Sequence, residues 1–280
     1  MATSDRPQMK LFAALWSFRE HPSAQAEWTL DQKFAEAKRC GFEAVNTRPD
    51  PAIPGLCAKH GLEFVVTIDA EGSDYRENLR QARAMNPKRV NVQLCDHDTP
   101  PAEAARVWLA MQPIADDLGL QIDLELHRNT ATEVPEKAYE IADIFQKATG
   151  KTIRFCADFS HFAVVKSLAP PYAPFLLARP DLIAPIRQIH ARPFNGHHAQ
   201  IPATDGAGNL SPEFIPWLAF MDEFFALMLK TATPQDVFYV CAEFGPVVSG
   251  YGLSCFPNPW QDQVRTRDEL RKLWQKRCGE

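Results

Sequence analysis

Four apolar runs in the second half of the chain each end on a side chain that can bind a metal or move a proton. Glu125 closes Ile-Asp-Leu-Glu, Asp158 closes Phe-Cys-Ala-Asp, His190 closes Gln-Ile-His, and Glu243 closes Val-Cys-Ala-Glu. Residues in such places lie in or near a core, where carboxylates are rare unless paired or metal-bound. Singly, each has a plain explanation as an acid capping the next helix or a hydrogen-bonded histidine. Together, three carboxylates and an imidazole form a hard, oxygen-rich donor set. It suits Mn²⁺, Mg²⁺ or Co²⁺ better than a structural zinc, for which thiolates are the usual ligands. The expectation is one divalent ion on Glu125, Asp158, His190 and Glu243, with Mn²⁺ first and Mg²⁺, Co²⁺ or Zn²⁺ as alternatives.

Several neighbours are placed to meet a substrate. His161 follows Asp158 by one turn, where it either partners the acid, bonds substrate, or caps a helix. His127 and Arg192 each stand two residues beyond a ligand candidate, so strand periodicity puts them on the same face if the strand persists. Arg192 would neutralise a substrate oxyanion or carboxylate, or pair with a structural acid. His197 and His198 read as a solvated loop pair. Trp16, Phe194, Phe244 and Trp260 are aromatic candidates for the C–H face of a sugar, with core packing as the competing assignment.

Elements that could bring these residues together alternate along the whole chain. Strand-like runs are expected at Lys10–Leu15, Glu43–Thr47, Glu63–Ile68, Val90–Cys95, Gln121–Leu126, Thr152–Asp158, Ile186–His190 and Val237–Glu243. Helical spacing of apolar residues marks Leu30–Lys38, Ala102–Leu118, Pro135–Thr149 and Phe214–Leu229 between them. Start signals sit at Thr29, Pro101, Thr130–Glu133 and Ser211–Pro212, while Gly41, Gly61, Gly119 and Gly150 fall just past helix ends. Eight β-then-α cycles predict one closed (β/α)8 barrel over residues 1–280. An open doubly wound sheet would want a Gly-rich turn after its first strand, and Leu11–Phe18 offers none. In a barrel, the four ligand candidates stand at the C-terminal ends of strands five to eight and face one point. The long loops Ala191–Leu210 and Gly245–Pro259 follow the last two strands, where function concentrates.

Composition narrows the partners. A net charge of −5 and the absence of a convincing basic cluster argue against nucleic acid. The cations between Arg265 and Arg277 alternate with acids on an apparent terminal helix and read as a solvated face. No apolar run reaches the roughly 18 residues of a membrane span, and the polar stretch Met1–Lys10 lacks a secretory signal. Seven cysteines without disulfide-like spacing fit a reducing, cytoplasmic compartment. The expected partner is a small-molecule sugar, and the composition is compatible with a homo-oligomer.

These motifs resemble the xylose isomerase-like barrels, which include sugar phosphate isomerases/epimerases, ketose 3-epimerases, hydroxypyruvate isomerase, inosose dehydratase and type IV apurinic endonuclease. The resemblance rests on Glu125 with His127, Asp158-x-x-His161, His190-x-Arg192, the Asp205-Gly-Ala-Gly208 turn and Glu243. It implies that the four strand-end residues bind the metal. It also implies an isomerase or epimerase acting on a sugar or keto-polyol through an enediolate, with Glu125 and Glu243 as the proton-transfer groups on opposite sides of the substrate and His127, His161, Arg192 and Trp16 as its binders. A dehydratase or lyase on a keto-sugar begins with the same proton removal. A nuclease and a non-catalytic sugar-binding subunit are the readings from other classes. Where ketose 3-epimerases carry a glutamate and an arginine, this chain has Ala131 and Gly196, and Pro193-Phe194-Asn195 replaces the acid common after the strand-seven histidine.

Overall fold

Eight parallel strands close on themselves in the order of the chain, β1 pairing with β8, in a computed structural model that describes residues 5–72 and 74–279. Met1–Ser4 and Glu280, which include the start of the polar N-terminal stretch and the ends of the span expected for the domain, lie outside the described residues, as does Ser73. The strands are β1 Gln8–Ala14, β2 Ala44–Thr47, β3 Glu63–Ala70, β4 Arg89–Leu94, β5 Ile122–Glu125, β6 Phe155–Ala157, β7 Gln188–Ala191 and β8 Val237–Ala242. The helices are α1 Leu30–Arg39, α2 Ile53–His60, α3 Tyr75–Ala84, α4 Pro101–Asp117, α5 Pro135–Thr149, α6 Phe159–Val165, α7 Ala173–Leu176, α8 Pro180–Ile183, α9 Phe214–Leu229 and α10 Pro259–Cys278. The expected (β/α)8 barrel is the observed fold.

Local chemistry sets the boundaries. Thr29 and Gln32 form a reciprocal capping box that starts α1, and Asn258 Oδ1 accepts from the Trp260 and Gln261 amides to start α10. Pro101 and Pro135 occupy first-turn positions, where a missing N–H costs nothing. Gly41, Gly61, Gly119 and Gly150 take positive φ, at 82°, 61°, 65° and 71°. β6 and β7 are shorter than their apolar runs. Before β7, the Arg187 guanidinium bonds the Ala184 and Ile186 carbonyls and so holds that segment in a turn.

Two kinds of interior result. Between sheet and helices lies a large apolar shell that includes Trp108, Trp217, Phe220 and Phe224, all at most 2% exposed. Inside the barrel, Phe12, Ala14, Ala44, Val65, Tyr239 and Cys241 make a small apolar wedge on β1, β2, β3 and β8. On the other strands the lumen is polar. Arg89, Asn91 and Gln93 alternate along β4, Asp123 and Glu125 along β5, and Gln188 and His190 along β7. Strand alternation thus gives the sheet an apolar outer face, and closure brings together an inner face that is apolar at that wedge and polar along β4, β5 and β7.

Candidate active site

β5 to β8 deliver Glu125, Asp158, His190 and Glu243 at their C-terminal ends, each at most 6% exposed. Ion pairs link them in a chain. His190 Nδ1 lies 2.8 Å from Glu125 Oε1 and 3.1 Å from Glu243 Oε2. Arg192 Nη2 lies 3.1 Å from Glu243 Oε1 and 3.3 Å from Asp158 Oδ2. His161 Nε2 completes the line, 3.3 Å from Asp158 Oδ2. Asn91 Nδ2 donates to Glu125 Oε2 at 2.7 Å and Trp16 Nε1 to Glu243 Oε1 at 2.9 Å. Asp158 also caps α6, accepting from the Ser160 amide and hydroxyl, so the mundane role open to a strand-end acid is realised alongside the ion pairs.

Electrostatics follow from this chain. Burial alone would raise the Glu243 carboxyl, but Arg192 and then His190 overcome it and hold it at about 2. Burial also opposes ionisation of Glu125, yet His190 and His127 pull its pKa well below the carboxylate range. Asp158 is likewise depressed against its burial, by Arg192 and His161. Burial disfavours the His190 imidazolium, but the Cys156 sulfur, Glu243 and Glu125 outweigh it and push its pKa well above the ordinary value. For His161, burial prevails over Asp158 and the pKa falls. At neutral pH the centre therefore holds three carboxylates against Arg192 and a protonated His190.

The cavity above has a volume of about 350 Å³ and is lined by Glu125, His127, His190, Arg192, Glu243 and Trp16, among others. Asp158 and His161 lie behind it, walled off by the Arg192 guanidinium. His161 meets His127 edge to face, with ring centroids 4.5 Å apart. Phe194 packs on Tyr172 and Phe220, Phe244 joins the apolar shell, and Trp260 packs on Phe18 and donates to Glu36, so these three are core residues and only Trp16 reaches the cavity. His197 and His198 stay in an exposed turn organised by Asn195.

Among the described residues, no group of three or more His, Cys, Asp or Glu side chains stands in a metal-holding arrangement. The Arg192 guanidinium occupies the gap between Asp158 and Glu243. The donor types still suit a hard divalent ion. Asp158 Oδ2 and Glu243 Oε2 lack a hydrogen-bond partner, as buried atoms available to a cation would, and His190 would have to give up its proton to ligate. His190 is in reach of both Glu125 and Glu243, while Asp158 is separated from them by the Arg192 guanidinium.

Sequence reasoning missed Asn91 and Tyr251. Asn91 is a polar residue in mid-strand, and the alternation Arg89, Asn91, Gln93 was its signal once a closed barrel was inferred. Tyr251 comes from the loop after β8, its ring 4.1 Å from the Arg192 Cζ and 4.4 Å from that of Arg128. That loop is fixed to its neighbour: Gln200 Nε2 donates to the Gly245 carbonyl at 3.0 Å, and the Gly245 amide donates back to Gln200 Oε1 at 2.6 Å. A Cβ on Gly245 would stand 2.5 Å from Trp16 and 2.7 Å from Tyr251, so only glycine lets these rings approach. At Gly196, where the 3-epimerases carry arginine, a Cβ would stand 2.1 Å from the Leu168 carbonyl oxygen, which leaves no room for any side chain.

No protein-family profile and no curated protein matches this chain. Solved structures do. A 3-keto-D-glucoside 4-epimerase from E. coli aligns over 95% of this chain and 100% of its own, with 14% identity and a TM-score of 0.59. A xylose isomerase-like TIM barrel protein from Mycobacterium smegmatis, in complex with magnesium, aligns over 95% and 97%, with 13% identity and a TM-score of 0.58. A probable 3-DHS dehydratase from Bacillus anthracis aligns over 95% and 98%, with 16% identity and a TM-score of 0.57. No helix among the described residues is long and apolar enough to cross a membrane. The chain has the fold of the xylose isomerase-like and sugar phosphate isomerase/epimerase barrels.

Proposed function

We propose that this protein is a divalent-metal-dependent isomerase or epimerase that moves a proton on a sugar or keto-polyol. The observation that carries the reading is the pair Glu125 and Glu243, converging on His190 from strands five and eight at the floor of the cavity. Glu125, Asp158, His190 and Glu243 would hold the ion; that the Mycobacterium smegmatis neighbour is in complex with magnesium supports a divalent ion, though not these particular ligands. When bound, a divalent ion supplies Lewis-acid polarisation of adjacent hydroxyl and carbonyl oxygens and stabilises the charge of an enediolate.

The chain's own residues do the rest. One glutamate takes the proton beside the carbonyl and the other returns one, on the same carbon's opposite face for epimerisation. As the ion pairs stand, Glu243 is a weak base, because Arg192 stabilises its carboxylate. Withdrawal of Arg192 to a substrate oxygen would raise that basicity and neutralise the oxygen in one movement. His127, on the cavity wall, and Trp16 and Tyr251, beside Arg192, shape the space and exclude water. His161, behind the wall, positions Asp158 rather than touching substrate. A lyase outcome shares the first step and differs only in expelling a β-substituent.

The test is solvent exchange. Wild type with keto-sugars in D₂O should place deuterium next to the carbonyl, and Glu125→Gln and Glu243→Gln should each lose at least about 10² in turnover while retaining measurable metal. Unlabelled product from wild type, or near-normal turnover in both variants, would refute the proton-transfer reading. A product short by one molecule of water would assign the lyase outcome.

A further inference from the structure

The opposite end of the barrel carries a second cavity, of about 580 Å³, at the N-terminal ends of β4 to β8. Lys88, Arg89, Arg154 and Arg187 line it, with Asp236 as the only acid. In barrels this face ordinarily serves stability, and a structural explanation would require the charges to balance. They do not. Arg187 is used up by Asp236 at 3.2 Å and by the carbonyls of Ala184, Ile186 and Thr231. Asp123, fully buried beneath the cavity, must serve two guanidinium groups at once, Arg89 at 3.4 Å and Arg154 at 3.6 Å. Neither of its oxygens makes a hydrogen bond, and the Nε of Arg89, a residue 4% exposed, has no hydrogen-bond partner either. Apart from its ion pair, Arg154 makes only one hydrogen bond, a 3.4 Å contact to the Ile122 carbonyl. The Lys88 ammonium, exposed on the rim, has no partner among the described residues. With Asp116 acting on Arg154 from beyond ion-pair distance, four cations face three acids, and the excess positive charge falls on Lys88, Arg89 and Arg154 around one concave space.

From this excess we propose that the N-terminal mouth of the barrel is a binding site for a phosphate-class dianion, held by Lys88, Arg89 and Arg154. Planar guanidinium groups bind such oxyanions through paired N–H donors, and a lysine at the rim adds a movable charge. Burial holds the Arg154 guanidinium below its ordinary pKa against the pull of Asp123 and Asp116, and the adjacent Arg89 charge adds to that; an anion between the two guanidinium groups relieves the repulsion. The cavity is wide enough to admit either free phosphate or the phosphoryl group of a larger metabolite. The site is separate from the catalytic cavity and independent of the function proposed for it.

Calorimetric titration of the full chain with sodium phosphate, at ionic strength fixed with chloride, tests this. Wild type should show saturable binding. Lys88→Gln and Arg154→Gln should each weaken it about tenfold, while Arg128→Gln, at the other mouth, should leave it unchanged. Lys88 has no partner to lose, so its variant stays folded, and a thermal melt in chloride checks Arg154→Gln. A parallel titration with AMP separates the sources: tighter binding than phosphate assigns a phosphorylated metabolite, equal binding assigns the free ion. Absence of saturable binding of both, or binding that survives both mouth variants, or binding that Arg128→Gln removes, overturns the proposal.

Discussion

Replacing Arg192 with methionine isolates the charge that holds the candidate site together. The guanidinium is 2% exposed and bridges Asp158 and Glu243 at 3.3 and 3.1 Å. At an effective dielectric constant near 20, each contact has a gross attraction of about 5 kcal/mol, most of it offset by desolvation. Removing one partner of a buried pair costs about 3–5 kcal/mol. A ceiling follows independently, because the stranded carboxylate can protonate instead: at pH 7, neutralising an acid of ordinary pKa costs roughly 3–4 kcal/mol. With an unfolding entropy of about 2.1 cal/mol/K per residue, the metal-free variant should melt about 5–7 °C below wild type. Mn²⁺ should then close much of that gap, since a divalent ion meets no competing cation, and the variant should bind Mn²⁺ more tightly than wild type. Calorimetric melts with EDTA and with Mn²⁺, followed by direct Mn²⁺ titration, measure both effects. An unchanged melting temperature in EDTA would refute the ion-pair account. Weaker Mn²⁺ binding in the variant would refute the idea that Arg192 and the metal compete for one place.

Two further substitutions probe the framework. Gly245→Ala forces Trp16 and Tyr251 apart, and should cost about 1–3 kcal/mol in a denaturant melt while weakening substrate affinity more than turnover; unperturbed stability would contradict the packing. Asp236 has its pKa lowered: burial opposes this, but the Thr233 amide at 2.7 Å and Arg187 prevail. Because the folded pKa is depressed, its contribution is complete above about pH 5 and drains as pH falls through the folded value. The melting-temperature difference between wild type and Asp236→Asn should therefore be largest near neutrality and shrink toward pH 3.

The sequence exposes the architecture because barrel strands and helices differ in period, and the turn chemistry of Thr29, Pro101, Pro135 and Gly150 agrees with it. Helices α5 and α9 begin and end at the residues read from the sequence. The convergence of Glu125, Asp158, His190 and Glu243 follows from strand order alone. What could not be read is how three acids and two cations share the space. Arg192 was legible as a site residue but not as the group that bridges Asp158 and Glu243. Phe194, Phe244 and Trp260 carry no local mark that separates a loop aromatic facing solvent from one turned into the shell. Tyr251 lies in a loop without periodicity, so only the folded chain shows it over Arg192.

The reciprocal pair of hydrogen bonds between Gln200 and Gly245 has a consequence for traffic through the active site. A lid over a barrel mouth opens quickly when it is hinged at its own ends and free elsewhere. Here the loop after β8 is tied to the loop after β7, and that loop is tied in turn to α10 by Asp262, which accepts from the Ala203 amide and the Thr204 hydroxyl. Lifting Tyr251 by displacing the whole loop would break two buried hydrogen bonds, each of which leaves a group costing about 1–3 kcal/mol when unmet. The cheaper route for a substrate lies across the other half of the rim, where Arg48, Gln93 and Asn129 line the cavity and Arg48 is held by an exposed ion pair to Asp69, which costs little to break. Entry and exit through that side would leave the Trp16–Tyr251–Arg192 wall standing through every turnover.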